Sequence, residues 1–166
     1  VKETYPLDEV KEVIPYFPVV LTTIGDNIVT LGFVQFFSFE PPIIGVGIHP
    51  DNYSNQLIKE EEEFVVNIPT VDMIKEVKFC GNNSGQDLNK FSATGLSAKE
   101  ADIIGGKLIE ECPVNIECKV IKEDRIGSCD WFFGEVKKAH VAKDYSCTDA
   151  LIYSQDEYQN LRLRKL

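Results

Sequence analysis

The sequence predicts a mainly β fold closed into a small antiparallel barrel, and two observations carry that expectation. Short apolar, β-branched runs recur along the chain, among them FPVVLTTI, PPIIGVGI and EFVVNI, each bounded by Gly, Pro, Asn or Asp. Strand-type segments also outnumber helix-type ones, and short strands joined by tight turns lose their free edges by closing on themselves.

The elements follow in order. Phe17 to Ile24 reads as a first strand, ended by the turn signal Gly25-Asp26-Asn27, and Ile28 to Phe37 as a second with Gly32 inside it. A glycine within a strand marks a bulge or a close approach of ligand or backbone. Pro41-Pro42 blocks helix and opens a third strand, Ile43 to Ile48, in which Gly45 and Gly47 leave one face bare. Asp51 or Asn52 caps a helix whose end is the solvated run Glu60 to Glu63; Phe64 to Ile68 is a fourth strand. Thr70 caps a helix from about Val71 to Phe79, and Cys80 to Asn89 is a polar loop. Ser97-Ala-Lys-Glu100 has the form of a capping box and predicts a short helix ending near Gly105-Gly106. Val114, Ile116, Cys118 and Val120 alternate with Asn115, Glu117, Lys119 and Ile121 as in a half-buried strand. Glu123 to Gly127 is then a turn before a long strand from about Trp131 to Val141. No repeat or linker interrupts the 166 residues, which points to a single domain over 1–166.

Composition narrows the function classes. With 43% hydrophobic and 27% charged residues the chain has an ordinary globular balance. Its apolar runs are too short to span a bilayer and its first residues lack a signal pattern, so the expected location is the cytoplasm. A formal net charge of −10 argues against nucleic acid and anionic membrane as partners, and the terminal RLRKL reads as a solvated tail. The five cysteines are widely spaced with no CxxC, which points to reduced thiols and away from zinc or iron–sulfur ligation. The two histidines, His49 and His140, offer little to a metal centre, and no P-loop, GxSxG or HExxH motif occurs. No residue is assigned a catalytic role and no metal is expected; the hard chemistry of any reaction falls to a bound cofactor.

Three clusters are candidates to cradle one. Thr30, Gly32, Phe33 and Ser38 combine apolar walls with backbone polar groups, as a flat ring requires. His49-Pro-Asp-Asn-Tyr-Ser54 opens a helix, where N–H groups, the dipole and hydroxyls suit a phosphate. Asn89-Lys90-Phe91 offers one cation. Taken alone, Phe33, Phe36 and Phe37 read as core, the second cluster as an ordinary capped helix and Lys90 as a surface charge.

The order of these clusters carries more than any one of them. FPVVLTTI-GDN-IVTLGFVQFFSFEPPIIGVGIHPDNYSNQLIKEEEEFVVNIP, followed by CGNNSG, DLNKFSATGLS, LIEECPVNIECKV and FFGEVKKAHV, resembles the flavin reductase-like, FMN-binding split-barrel family, flavoredoxin-type proteins above all. The resemblance covers about Pro15 to Val141. It implies an antiparallel Greek-key split β-barrel with a few flanking helices, FMN as cofactor and a homodimer with flavin near the interface. The tail from 149 to 166 is expected to pack on the barrel or on the dimer partner.

Residue by residue, the resemblance implies that Asn27 approaches the polar edge of the ring. Thr30, Leu31, Gly32 and Phe33 line the isoalloxazine, with Phe37 and Ser38 close to the same wall. Ser54 bonds the phosphate with His49, Asn52 and Tyr53 nearby, and Lys90 sets a positive charge by the flavin or its phosphate. Cys129 stands where related proteins often carry a histidine at the flavin, which removes a donor and a proton relay. The implied activity is electron transfer from NADH or NADPH through FMN to a small-molecule flavin or a redox partner protein. An FMN electron carrier reduced by a partner protein and a flavin-free barrel are the alternatives.

Overall fold

The computed structural model describes residue 4, residues 6–154 and residues 157–160. Fifteen principal elements follow a short 3-10 segment, Leu7–Val13. They are β1 (Phe17–Pro18), β2 (Val20–Ile24), β3 (Asn27–Leu31), β4 (Val34–Phe39), β5 (Pro42–Ile48), α1 (Tyr53–Glu61), β6 (Glu63–Ile68) and α2 (Ile74–Asn82). Then come α3 (Lys90–Thr94), β7 (Ala98–Glu100), β8 (Lys107–Ile109), β9 (Val114–Ile126), β10 (Cys129–Val141), β11 (Leu151–Ser154) and β12 (Glu157–Asn160). Among the described residues no helix is long and apolar enough to cross a membrane.

Seven strands form the main sheet in the order β3-β2-β6-β9-β10-β5-β4, every neighbouring pair antiparallel. The sheet curls on itself: Val29 and Leu31 from one edge strand share a buried cluster with Val46, Ile48, Phe64 and Phe132, and Val34 of the other edge packs against it. This is the expected antiparallel split barrel. Its middle is filled tightly, since a Cβ on Gly134 would lie 2.6 Å from the Phe64 ring. A second cluster lies outside the barrel, where Leu21 and Ile28 meet Val77 and Cys80 of α2, Phe91 of α3 and Leu151 of β11.

Several sequence expectations are corrected. The strand expected over Ile28 to Phe37 is broken at Gly32-Phe33, because β3 and β4 belong to opposite edges of the sheet and the chain crosses between them there. The run from Phe17 divides at Val19: β1 pairs with β11, whereas β2 pairs with β3 and β6. The helix expected after Ser97 is the ladder β7–β8; the Ser97 N–H donates to the Glu111 carboxylate, so the local capping signature is overridden by a partner 14 residues away. Glu123 to Ile126 continues β9, and the turn is delayed to Gly127, whose φ of +61° suits glycine.

Strand β9 is also covered on both faces at its start. Asn115 and Glu117, expected on a solvent face, are buried beneath residues 101–109. The fully buried Glu117 carboxylate accepts N–H groups from Asp102 (3.0 Å), Ile103 (2.8 Å) and Ile104 (3.3 Å), and lies 2.7 Å from His140 Nε2. Lys138 pairs with Asp102 beside it at 2.5 Å. The segment expected as a tail forms a third, small sheet, β1-β11-β12, against the barrel. Residues 155–156 and 161–166 of that segment lie outside the described residues.

Candidate functional site

Helix α2 rests on β3 beside the split. Thr30 Oγ1 donates to the Val77 carbonyl at 2.7 Å, and Gly81, one turn later, allows the helix within van der Waals reach of Thr30. The chain then leaves α2 through Asn83, Ser84 and Gly85 toward the start of α1. Asn52 caps that helix by accepting from the Ser54 N–H at 2.9 Å. Between these pieces lies a polar cavity of about 270 Å³, walled by Thr30, Asn52, Tyr53, Asn82, Ser84 and Lys90.

Lys90 is not a surface charge: only 3% of it is exposed. Its Nζ donates to the carbonyls of Ile28 (2.6 Å) and Cys80 (2.8 Å), which leaves one of three ammonium donors for the cavity. Burial pulls its pKa below the ordinary lysine value, and the same burial pushes the neighbouring Cys80 thiol up to about 11.

A larger cavity of about 720 Å³ shares Thr30 and Asn82 with the first. Leu31, Gly32 and Phe33 form one wall, Phe17 and Val19 another, and Tyr153 and Tyr158 of the C-terminal sheet a third. The two tyrosine rings meet edge to face at 5.1 Å. The result is a polar chamber opening into an aromatic one, a division suited to a ligand with a phosphate at one end and a flat ring at the other.

Asn27 and Ser54 lie behind the polar chamber. Asn27 Nδ2 donates to Ser54 Oγ at 2.8 Å, whereas the buried Asn27 Oδ1 has no hydrogen-bond partner in the described structure. A Cβ on Gly85 would overlap that oxygen, so the loop passes here only as glycine. A third cavity of about 410 Å³ on this side carries Asp26, Glu61 and Asp87 and is unsuited to an anion.

The structure therefore gathers Thr30, Leu31, Gly32, Phe33, Asn52, Tyr53 and Lys90 at two joined chambers, with Asn27 and Ser54 behind the polar one. Four other sequence candidates do not line them. Phe37 packs edge-on against Trp131 and Phe133 at 6.0 and 5.0 Å, on the outer face of β4, β5 and β10, and Ser38 pairs with Ile43 on the same edge. His49 Nδ1 accepts from the Asp51 N–H at 3.3 Å in an exposed turn. Cys129 is buried at the hairpin end of β10, opposite Ile126. Sequence reasoning missed Asn82, Tyr153 and Tyr158; the alternating strands LIYS and EYQN were the available signal for the tyrosines.

Comparison with known proteins agrees with this fold. The family described as flavin reductase like domain matches residues 12–162. An uncharacterized protein of Archaeoglobus fulgidus is 38% identical over 110 residues, which are 66% of this chain and 62% of that relative's length. Flavoredoxin from Methanosarcina acetivorans superposes with a TM-score of 0.85 at 25% identity, over 96% of this chain and 91% of the other. An NADH:FAD oxidoreductase of Streptomyces globisporus shares the fold, with a TM-score of 0.83 at 17% identity over 96% and 97% of the two chains. A matched span of that length, on a split barrel with a two-chambered cleft beside Gly32, places the chain in the flavin reductase-like domain family.

Proposed function

We propose that the chain binds FMN across the two joined chambers and acts as a flavin reductase-like oxidoreductase, taking electrons from NADH or NADPH and passing them to a second flavin or a partner protein. The observation that carries this reading is the junction at Thr30 and Asn82 of a lysine-bearing polar chamber with an aromatic one. Lys90 and the N-terminus of α1 offer positive potential to a phosphate, and the backbone from Thr30 to Phe33 offers an apolar wall with polar groups to a ring. Asn27 Oδ1 supplies a buried acceptor still in need of a donor. FMN, when bound, brings the two-electron chemistry; the residues present bind it, orient it and exclude water. Cys129, packed in its hairpin, fills space in this reading.

We further propose a homodimer in the cytoplasm. Phe33 and Phe37, each 50% exposed, form with Trp131 an apolar face of the kind that marks an interface. Sedimentation should give twice the monomer mass.

Anaerobic mixing of the FMN-loaded protein with NADH or NADPH tests the main claim, and bleaching of the flavin absorbance is the expected result. A flavin that stays oxidised with both nucleotides, yet is reduced by a redox protein, would establish the electron carrier instead. The carrier reading draws its support from the likeness to flavoredoxin. Binding itself is tested by Gly85→Ala. The added methyl displaces either Asn27 or the loop, so FMN affinity should fall by about tenfold, roughly the worth of one good hydrogen bond, in a fluorescence titration.

A further inference from the structure

Lys59, Lys107, Lys122, Lys137 and Lys138 all sit in ion pairs with carboxylates, as expected in a chain of net charge −10. The aromatic chamber is different. Among the described residues its charged lining is Lys11 and Lys78, both cationic. Among the described residues neither ammonium has an ion-pair partner; Lys78 Nζ instead lies over the Tyr158 ring, 5.4 Å from its centre. Two cations without a carboxylate partner at an apolar cavity, in a protein that is otherwise strongly acidic, give this cavity a local positive potential that suits an anionic ligand.

Their position says which ligand they serve. Lys78 stands one helical turn before Asn82, so it is set back from the junction of the two chambers toward the N-terminal half of α2. A flavin phosphate held at Lys90 and α1 is in the other chamber, and its ring is at Thr30 to Phe33. The two cations line the aromatic chamber and not the polar one, so they are placed for a molecule that enters beside the ring. Tyr153 and Tyr158 give that chamber a surface on which a planar ring stacks. A ring beside a phosphate, arriving at a flavin, is the chemistry of a nicotinamide dinucleotide.

We propose that Lys11 and Lys78, set beside Tyr153 and Tyr158, are specificity-determining residues that bind the phosphates of the nicotinamide dinucleotide. This rests on the FMN reading above. The pyrophosphate common to NADH and NADPH and the additional 2′-phosphate of NADPH are the two groups they can engage. A surface charge pair of this kind acts through affinity and encounter rate, and salt weakens it.

The test replaces each lysine by glutamine, singly and together, in the FMN-loaded protein. Binding of NAD⁺ and NADP⁺ to the oxidised holoprotein is measured by flavin fluorescence at low and high salt, alongside FMN and riboflavin affinity. The double variant should bind nucleotide about tenfold more weakly and lose most of the salt dependence. FMN affinity should change by less than about twofold, far below the nucleotide effect. Equal losses for both nucleotides assign the pyrophosphate; a larger loss for NADP⁺ assigns the 2′-phosphate. Unchanged nucleotide binding overturns the proposal. So does a fall in FMN but not riboflavin affinity that matches the nucleotide loss, because the lysines then read the flavin's own phosphate. Nucleotides that bind in a lysine-dependent way without reducing the flavin would remove the reductase reading and leave this site standing.

Discussion

Replacing Lys90 by methionine should weaken FMN binding by about 1.5–3 kcal/mol, or roughly 10- to 150-fold in Kd, while riboflavin affinity falls much less. Methionine keeps the length and loses the charge, so the contrast between the two flavins isolates the phosphate. Stability should fall as well, by about 1–3 kcal/mol in urea titrations, because the carbonyls of Ile28 and Cys80 each lose a buried donor. Equal losses for FMN and riboflavin would place the cation at the ring instead.

The pH dependence of Lys90 has two signs. Burial lowers its pKa in the folded protein below the ordinary lysine value of 10.5. Between the lowered value and 10.5 the unfolded chain holds the proton and the folded chain does not. The unliganded protein therefore gains stability from this group as pH rises through that window. FMN affinity should move the other way, falling as the ammonium is neutralised. Lys90→Met should abolish both trends, which parallel titrations of stability and affinity on the variant and the parent would show.

Glu117→Gln should be the most damaging single-atom change away from the cleft. The carboxylate gathers three backbone N–H groups and His140, and an amide presents an NH2 where at least one of these donors now points. A loss of about 3 kcal/mol is expected, equivalent to a Tm lower by roughly 6–12 °C. Burial alone would raise the Glu117 pKa, but the hydrogen bonds from His140 and from residues 102–104 outweigh it and hold the carboxyl below its ordinary value of 4.5. A depressed folded-state pKa contributes stability above the unfolded value, and that stability is lost as pH falls through the folded one. The Tm should therefore fall as pH drops below about 4.5 in the parent, and this part of the pH dependence should be absent from the variant.

What the sequence disclosed and what it hid divide along physical lines. The strands with strong β-branched character, such as β2, β5 and β6, were legible because local preference and tertiary pairing agree there. Ser97 to Glu100 misled because its capping signature is local, whereas the ladder that won depends on β8. Glu117 was placed on a solvent face because alternation in β9 cannot reveal that residues 101–109 return to cover it. In the site, Asn27, Thr30 to Phe33 and the opening of α1 were found through resemblance to a family, since their chemistry alone is ordinary. The burial of Lys90 was illegible: its two acceptors lie 10 and 62 residues away. Tyr153 and Tyr158 lie past Val141, where the resemblance read from the sequence ended, although the family match runs to residue 162.

The small sheet that contributes those tyrosines joins Phe17 to Tyr153 and Pro18 to Ile152. Of the strand pairings in the described residues, this one spans the widest separation along the chain. Loop-closure entropy is greatest for such a contact, and β1 offers only two residues of ladder to offset it. The third wall of the aromatic chamber is consequently the part of the molecule most open to local unfolding, with hydrogen exchange at Leu151 to Ser154 faster than in β9 and β10. A ligand that bridges this wall to β3 does more than occupy a cleft. It fastens the two distant stretches of chain together, and its grip and their order rise and fall as one.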